Sequence, residues 1–294
     1  MRYESPETID AAIALLADGK TRTRVLAGGT DLLVQLRSGM IEPDLVVDIK
    51  RIPELRQITE ENGGFRIGAA VAGAELSEHA QVKHLWPGVV EAVDLIGSTQ
   101  IQGRCSMVGN LCNASPAADS VPAMIAAGAA VRIVGPRGTR DLPVEDVIIS
   151  PGENALADGE IVTSVFLPSR PPRSGDAYLR FIPRTEMDIA VVGAGVSVTL
   201  DEAGTCTDAR VSLGAVAATP LLVPDAAAAL IGTPIDDQAL ASLGTAASAA
   251  CRPIDDKRGT IEYRTKVAGV LARRAAVIAR DRAKGIASAN GGAH

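Results

Sequence analysis

The stretch VLAGGTDLL, residues 25–33, decides how this chain folds. An apolar run of Val25, Leu26 and Ala27 meets Gly28 and Gly29, passes Thr30 and Asp31, and enters Leu32 and Leu33, with Leu36 one turn further on. That order spells a strand, a tight glycine turn and the first turn of a helix. Paired glycines reach positive φ and let a bulky anion come close to the backbone. The unpaired N–H groups of a helix start point at such an anion, and the helix dipole favours its charge. Taken alone, the stretch leaves two readings open: a plain turn, or a cradle for the phosphates of a nucleotide cofactor. It lacks the trailing glycine of the dinucleotide fingerprint and the Gly-Lys-Ser/Thr of a P-loop, so neither of those motifs is present.

Working outward, Ser5-Pro6-Glu7 reads as an N-cap, a proline at the first helical position and an acidic first turn. Ile9, Ile13 and Leu16 share a face of the helix that follows, and Gly19 ends it. Residues 45–49 form a short apolar run typical of a buried strand. This order predicts a small parallel α/β subdomain over residues 1–55. From residue 57 the texture changes. Asn62-Gly63-Gly64 separates two strand-like runs and predicts a hairpin. Helices are expected at 74–81, 86–95 and 121–129, with strands at 131–134 and 161–167. Residues 56–172 thus read as an antiparallel α+β subdomain, and residues 170–175, RPPRSG, as a linker. Three strand-like runs at 178–182, 190–200 and 209–213, then helices near 225–231, 236–249 and 262–283, predict a C-terminal domain over 173–285. It should hold a three-stranded antiparallel sheet with helices. The last helix is basic, with Arg264, Lys266, Arg273, Arg274, Arg280, Arg282 and Lys284, and reads as a solvated face. Residues 286–294 are expected to be a disordered tail.

Composition excludes several functions. The 294 residues carry a net charge of −6 and only one Trp, three Tyr and three Phe. A nucleic-acid binder needs a basic face and aromatics for stacking, so none is expected here. The cores must be built from Ala, Val, Leu and Ile, which make up most of the 47% hydrophobic content. No apolar run is long enough for a membrane span, and MRYESPETID has no signal-peptide core, so a soluble, cytoplasmic protein is expected. The cysteines, at 105, 112, 206 and 251, form no Cys-x-x-Cys pair and read as buried thiols. With His79, His84 and His294 they offer no metal-ligand spacing, so no metal site is expected.

A second stretch carries information: IGSTQIQGRCSMVGNLCNASPAADSVP, residues 96–122. It is rich in small and polar residues and too long for a plain connection. Its hydrogen-bonding groups could enclose a polar ligand or merely satisfy its own turns. AGGTDLL and SMVGNLCNASPAAD together resemble the FAD-binding subunit of the molybdenum hydroxylases, the xanthine dehydrogenase and carbon monoxide dehydrogenase type. LADGEIVTSVFLP at 156–168, RFIPRTEMDIAVVGAGVSV at 180–198 and DDKRGTIEYRTKVAGVLARRA at 255–275 are similar to further segments of that family, in the same order.

The resemblance implies a two-subdomain FAD-binding domain, residues 1–172, ahead of the C-terminal domain. It places non-covalent FAD on Ala27, Gly28, Gly29, Thr30 and Asp31, flanked by Val25, Leu26 and Leu32. Ser106, Met107, Val108, Gly109 and Asn110 would form the second phosphate loop. Asp119 would hold a ribityl or ribose hydroxyl, Ile96 would pack nearby, and Ile161 and Val162 would lie against the cofactor rings. Arg180 stands where the family often has lysine, near the polar edge of the flavin. The second loop departs from the usual Thr-x-Gly-Gly-Asn: Val108 replaces a glycine, and its side chain must point away from the cofactor. No general acid, base or nucleophile is assigned. The resemblance also implies partners: a large subunit with the molybdenum cofactor and a small subunit with 2Fe-2S clusters, assembled as a heterohexamer, with an external electron acceptor. The alternatives are a self-sufficient flavin oxidoreductase of a related fold and an interaction subunit without flavin.

Overall fold

The computed structural model describes residues 1–19, 21–185 and 187–286. Strand Thr23–Leu26 pairs in parallel with Leu45–Asp48, whose other edge takes Arg2–Glu4, also in parallel. The middle strand is buried at all four positions, as a parallel strand flanked on both edges should be. The first strand, only three residues long, lies just ahead of the expected helix cap. That cap is corrected. Thr8, not Ser5, caps helix Ile9–Leu16, its Oγ1 accepting from the Ala11 N–H at 3.2 Å.

The second sheet is antiparallel, in the order Ile58–Glu61, Gly64–Gly68, Ile161–Leu167, Ala130–Gly135, Gly138–Pro143. Its first hairpin turns on Asn62 and Gly63, at φ 50° and 74°, the pair of positive angles a two-residue turn requires. Strand Gly138–Pro143 was not foreseen; it is an edge strand with a polar sequence and no apolar alternation. The two helices expected at 74–95 are three, Gly73–Glu78, Ala80–Leu85 and Pro87–Asp94. The first break falls at His79, whose Nδ1 accepts from the Val82 N–H at 3.3 Å and caps the second helix. The next follows from Pro87, which can start a helix but not continue one.

Strands Ser174–Phe181, Val192–Leu200 and Cys206–Gly214 form the third sheet, and a two-residue strand, Leu221–Leu222, adds a fourth to the three expected. Helices Asp237–Ala250 and Ile261–Ala283 pack with it. The final helix buries Ala268, Ala272, Ala275, Ala276 and Ala279, a face of small side chains that lets it lie close on the sheet. A Cβ on Gly175 would stand 2.0 Å from the Ala279 carbonyl oxygen. Scarcity of aromatics is thus matched by close backbone approach.

The solvated reading of this helix fails at Arg264 and Arg282, and at half-buried Arg280, which donates to the Ile235 carbonyl at 2.9 Å. Arg264 is buried, pairs with Asp256 at 2.7 Å and donates to the Val191 carbonyl at 2.8 Å. Arg282 pairs with Glu91 across the domain junction and donates to the Asp176 carbonyl. The expected disordered tail, apart from Ile286, lies outside the described residues.

Apolar side chains gather into two cores. One runs from Ala12 to Leu167 and takes in Tyr178, and the other runs from Ala177 to Ala283. The segment read as a linker is pinned between them. Arg170 pairs with buried Asp176 at 2.7 Å, donates to the Leu85 carbonyl and stacks over Trp86 at 4.5 Å. The Gly88 N–H donates to the other Asp176 oxygen at 2.8 Å. Burial pushes the Asp176 carboxyl up and Arg170 pulls it back. Arg170→Ala should therefore cost about 3–5 kcal/mol, because it leaves a buried carboxylate without its cation. Urea unfolding of the variant against the native chain measures this.

Candidate cofactor site

The site starts where the parallel sheet ends. Beyond Leu26 the chain leaves the sheet, turns at Gly29 with φ +80°, and enters helix Leu32–Arg37. Asp31 stands at the helix start but makes no side-chain cap. The N–H groups of Gly28, Gly29, Thr30 and Asp31 donate to no acceptor among the described residues, while Leu33 N–H returns to the Gly29 carbonyl at 3.0 Å. Four consecutive free donors around a turn are what an anionic ligand needs. Val25 and Asp31 are exposed, Leu26 is buried, and Ala27 and Leu32 are half-buried.

The second stretch lies directly against the first. A Cβ on Gly28 would stand 1.9 Å from the Arg104 carbonyl oxygen, so only glycine permits the two loops to touch. Gln35 Nε2 donates to Asn113 Oδ1 at 3.1 Å, a second tie between them. The stretch expected to supply the second phosphate loop is partly helical, with Thr99–Gln102 and Met107–Cys112 as short helices. The correction has a local cause. Ser106 caps the second helix, its Oγ accepting from the Gly109 N–H at 3.0 Å. Ser106, Met107 and Val108 are buried, and the N–H groups of Met107 and Val108 find no acceptor among the described residues. Val108 belongs to the first core. Asn110 is occupied within the protein, its Oδ1 accepting from Ser120 N–H at 3.2 Å and Ser120 Oγ at 2.7 Å.

Asp119 and Arg180, expected to serve different parts of the cofactor, meet each other. Arg180 Nη1 donates to Asp119 Oδ2 at 2.7 Å, and the Tyr178 hydroxyl donates to Asp119 Oδ1 at 3.1 Å. All three side chains are buried. Tyr178 and Arg180 lie two apart on one strand and so share a face. Opposite Arg180 in register is Gly193, where a Cβ would come within 2.5 Å of the Tyr178 hydroxyl. Burial pushes the Asp119 carboxyl up to about 6 against the pull of Arg180 and Tyr178. Burial first, then the charge of Asp119, hold the Tyr178 phenol well above its ordinary range, so it stays a donor.

Ile161 and Val162 open strand Ile161–Leu167, buried, just before a register shift between Val162 and Ser164. Helix Met107–Cys112 packs on this strand. Ile96 is buried ahead of Gly97, at φ +64°. Two residues bonded to these groups escaped the sequence reading. Tyr178 carried a signal, its Tyr-x-Arg spacing in a strand. Lys50, whose Nζ donates to the Ala27 carbonyl at 3.0 Å and to Asp48 Oδ1 at 2.8 Å, carried none beyond its place after a buried aspartate.

Residues 1–170 match the family model described as the FAD binding domain in molybdopterin dehydrogenase, and residues 177–278 match the CO dehydrogenase flavoprotein C-terminal domain. The carbon monoxide dehydrogenase medium chain of Afipia carboxidovorans is 34% identical over 96% of this chain and 97% of its own. The xanthine dehydrogenase FAD-binding subunit of Escherichia coli O157:H7 is 31% identical over 89% of this chain and 90% of its own. The structure of reconstituted CO dehydrogenase from Oligotropha carboxidovorans superposes with a TM-score of 0.92 at 34% identity, covering 96% of this chain and 98% of the other. Fold and family model together define an FAD-binding chain. It belongs to the FAD-binding subunits of the molybdenum hydroxylases, oxidoreductases of the carbon monoxide dehydrogenase and xanthine dehydrogenase type. No helix among the described residues is long and apolar enough to cross a membrane.

Proposed function

We propose that this chain holds FAD non-covalently and passes electrons from the 2Fe-2S clusters of a small partner subunit to an external acceptor. In this reading a large subunit carries the molybdenum cofactor and oxidises the substrate, and two sets of three subunits form a heterohexamer in the cytoplasm. The observation that carries it is the cradle at residues 28–31, with four free N–H donors pressed against a second capped helix start. Ala27, Gly28, Gly29, Thr30 and Asp31 would take one side of the pyrophosphate, flanked by Val25, Leu26 and Leu32. Ser106, Met107, Val108, Gly109 and Asn110 would take the other. The free N–H groups of Met107 and Val108 suit this, whereas the Asn110 side chain is already spent on Ser120. Ile96, Ile161 and Val162 would supply an apolar wall, and the Asp119–Arg180 pair a charged edge.

When bound, FAD supplies the exchange between one-electron donors and a two-electron acceptor. The chain's own groups bind and orient it, and fix the charge beside it. The domain limits follow the same plan, 1–172 with subdomains divided near residue 55, then 173–285. The two apolar cores support the main division, while the subdomains share one core.

The purified chain, incubated with FAD and passed through gel filtration, should keep a flavin absorption spectrum. A folded chain that emerges colourless overturns the reading in favour of an interaction subunit without flavin. Bleaching of the bound flavin by a small organic reductant, with no partner present, would instead favour a self-sufficient oxidoreductase.

A further inference from the structure

The glycine cradle is braced from behind by a chain of polar contacts that crosses the end of the parallel sheet. Each of the three strands contributes. Tyr3, from the first strand, donates its hydroxyl to Asp48 Oδ2 at 2.6 Å. Asp48 ends the middle strand, is buried, and accepts from the Lys50 N–H at 3.0 Å and Lys50 Nζ at 2.8 Å through Oδ1. Lys50 Nζ then reaches the carbonyl of Ala27, the residue that follows the third strand and precedes the free N–H groups. Burial raises the Asp48 carboxyl, but hydrogen bonds from Lys50 and Tyr3 outweigh it and hold the group below its ordinary range. The aspartate is therefore a firm anionic anchor at neutral pH.

We propose that Lys50 is a positioning residue for the pyrophosphate half of FAD, fixing the Ala27 peptide and cancelling the Asp48 charge beside the cradle. The proposal rests on the cofactor reading above. Orientation at Ala27 matters because Gly28 and Gly29 follow it: two permissive residues leave the direction of the free N–H groups to be set by whatever holds their ends. On the far side, Leu33 N–H holds the Gly29 carbonyl and the Arg104 backbone confines Gly28. On the near side the hydrogen bond from Lys50 does this work. Removing the ammonium frees the peptide and leaves a buried carboxylate uncompensated close to where phosphate would sit, two effects of the same sign.

The test is titration of the full chain, native, Lys50→Met and Lys50→Arg, with FAD, ADP and riboflavin. Lys50→Met should weaken FAD and ADP alike, by about tenfold to a hundredfold for the loss of a charge-assisted hydrogen bond. Riboflavin, which lacks the phosphates, should bind native and variant chains equally, and Lys50→Met, although the uncompensated Asp48 carboxylate lowers its melting temperature, should remain folded by circular dichroism at the temperature of the titration. Lys50→Arg, which offers two donors to the same pair of oxygens, should recover most of the affinity for FAD and ADP. Native-like ADP and FAD binding by Lys50→Met overturns the proposal, as does an equal loss for riboflavin. Failure of the native chain to take up FAD or ADP overturns the cofactor reading itself and the proposal with it.

Discussion

Gly28→Ala should emerge from gel filtration without flavin and should unfold about 3 kcal/mol more easily than the native chain. The added Cβ would stand 1.9 Å from the Arg104 carbonyl oxygen, 2.7 Å from its carbon and 2.9 Å from Cys105 Cα. All three are backbone atoms, so no side chain can swing aside; the loops themselves must part. Parting them separates the free N–H groups of residues 28–31 from the helix capped by Ser106, and each half of the cradle then faces solvent alone. Two controls isolate the cause. Gly39 has φ +69° with nothing near its Cβ position, so Gly39→Ala should cost only the backbone strain of about 1 kcal/mol and keep the flavin. Gly29→Ala should fall between them, since it combines φ +80° with contacts to Leu26 and Leu33 side chains, which can move. The ratio of flavin to protein absorbance, read beside urea unfolding for the three variants, checks the order. A flavin-replete Gly28→Ala would show that the two loops do not act as one site.

What could be read from sequence, and what could not, follows from the range of the interactions involved. The strand, glycine turn and helix at residues 23–37 are local: apolar run, paired glycines and a renewed apolar pattern sit side by side, and the fold reproduces them. So are the Asn62-Gly63 turn and the long helix Ile261–Ala283. Features that depend on a distant partner were lost. Strand Arg2–Glu4 exists because Leu45–Asp48 offers it an edge, and its three residues alone carry no period. Arg264 looks like one more cation on a basic helix until Asp256 and the Val191 carbonyl are brought to it by the sheet.

Among the candidate site residues, the glycine turn was legible because neighbouring residues alone set its geometry. The Asp119–Arg180 pair was not, although both residues were named. They are 61 positions apart, and only antiparallel pairing of strand Ser174–Phe181 with Val192–Leu200 presents Tyr178 and Arg180 to the helix start at Asp119. Lys50 shows the same limit from the other side. Its neighbour Asp48 is visible at the end of an apolar run, but its second contact, Ala27, comes from a parallel strand.

Asp119→Ala should be the most destabilising single change at the site, by about 3–5 kcal/mol, and should also loosen the flavin. Arg180 would remain buried with a guanidinium and no carboxylate, and the Tyr178 hydroxyl would lose its only acceptor among the described residues. Asp119→Asn should be milder, since an amide oxygen still accepts from one of them. The pH dependence separates charge from shape. Asp119 titrates near 6 in the folded chain, against about 3.9 when unfolded, so between those values the native state binds the extra proton. Its contribution to stability is therefore fully present below about pH 4 and falls away as pH rises through 6. On the linkage relation the change is about 3 kcal/mol. The stability of the native chain relative to Asp119→Asn should accordingly be greatest in acid and shrink toward neutrality, the reverse of an ordinary surface ion pair. Urea unfolding of both chains at pH 4.5, inside this window, and at pH 7.5, above it, should show about 2 of these 3 kcal/mol. A lead that grows toward neutrality would mean that Arg180 outweighs burial, and that the carboxylate is held in its charged form throughout.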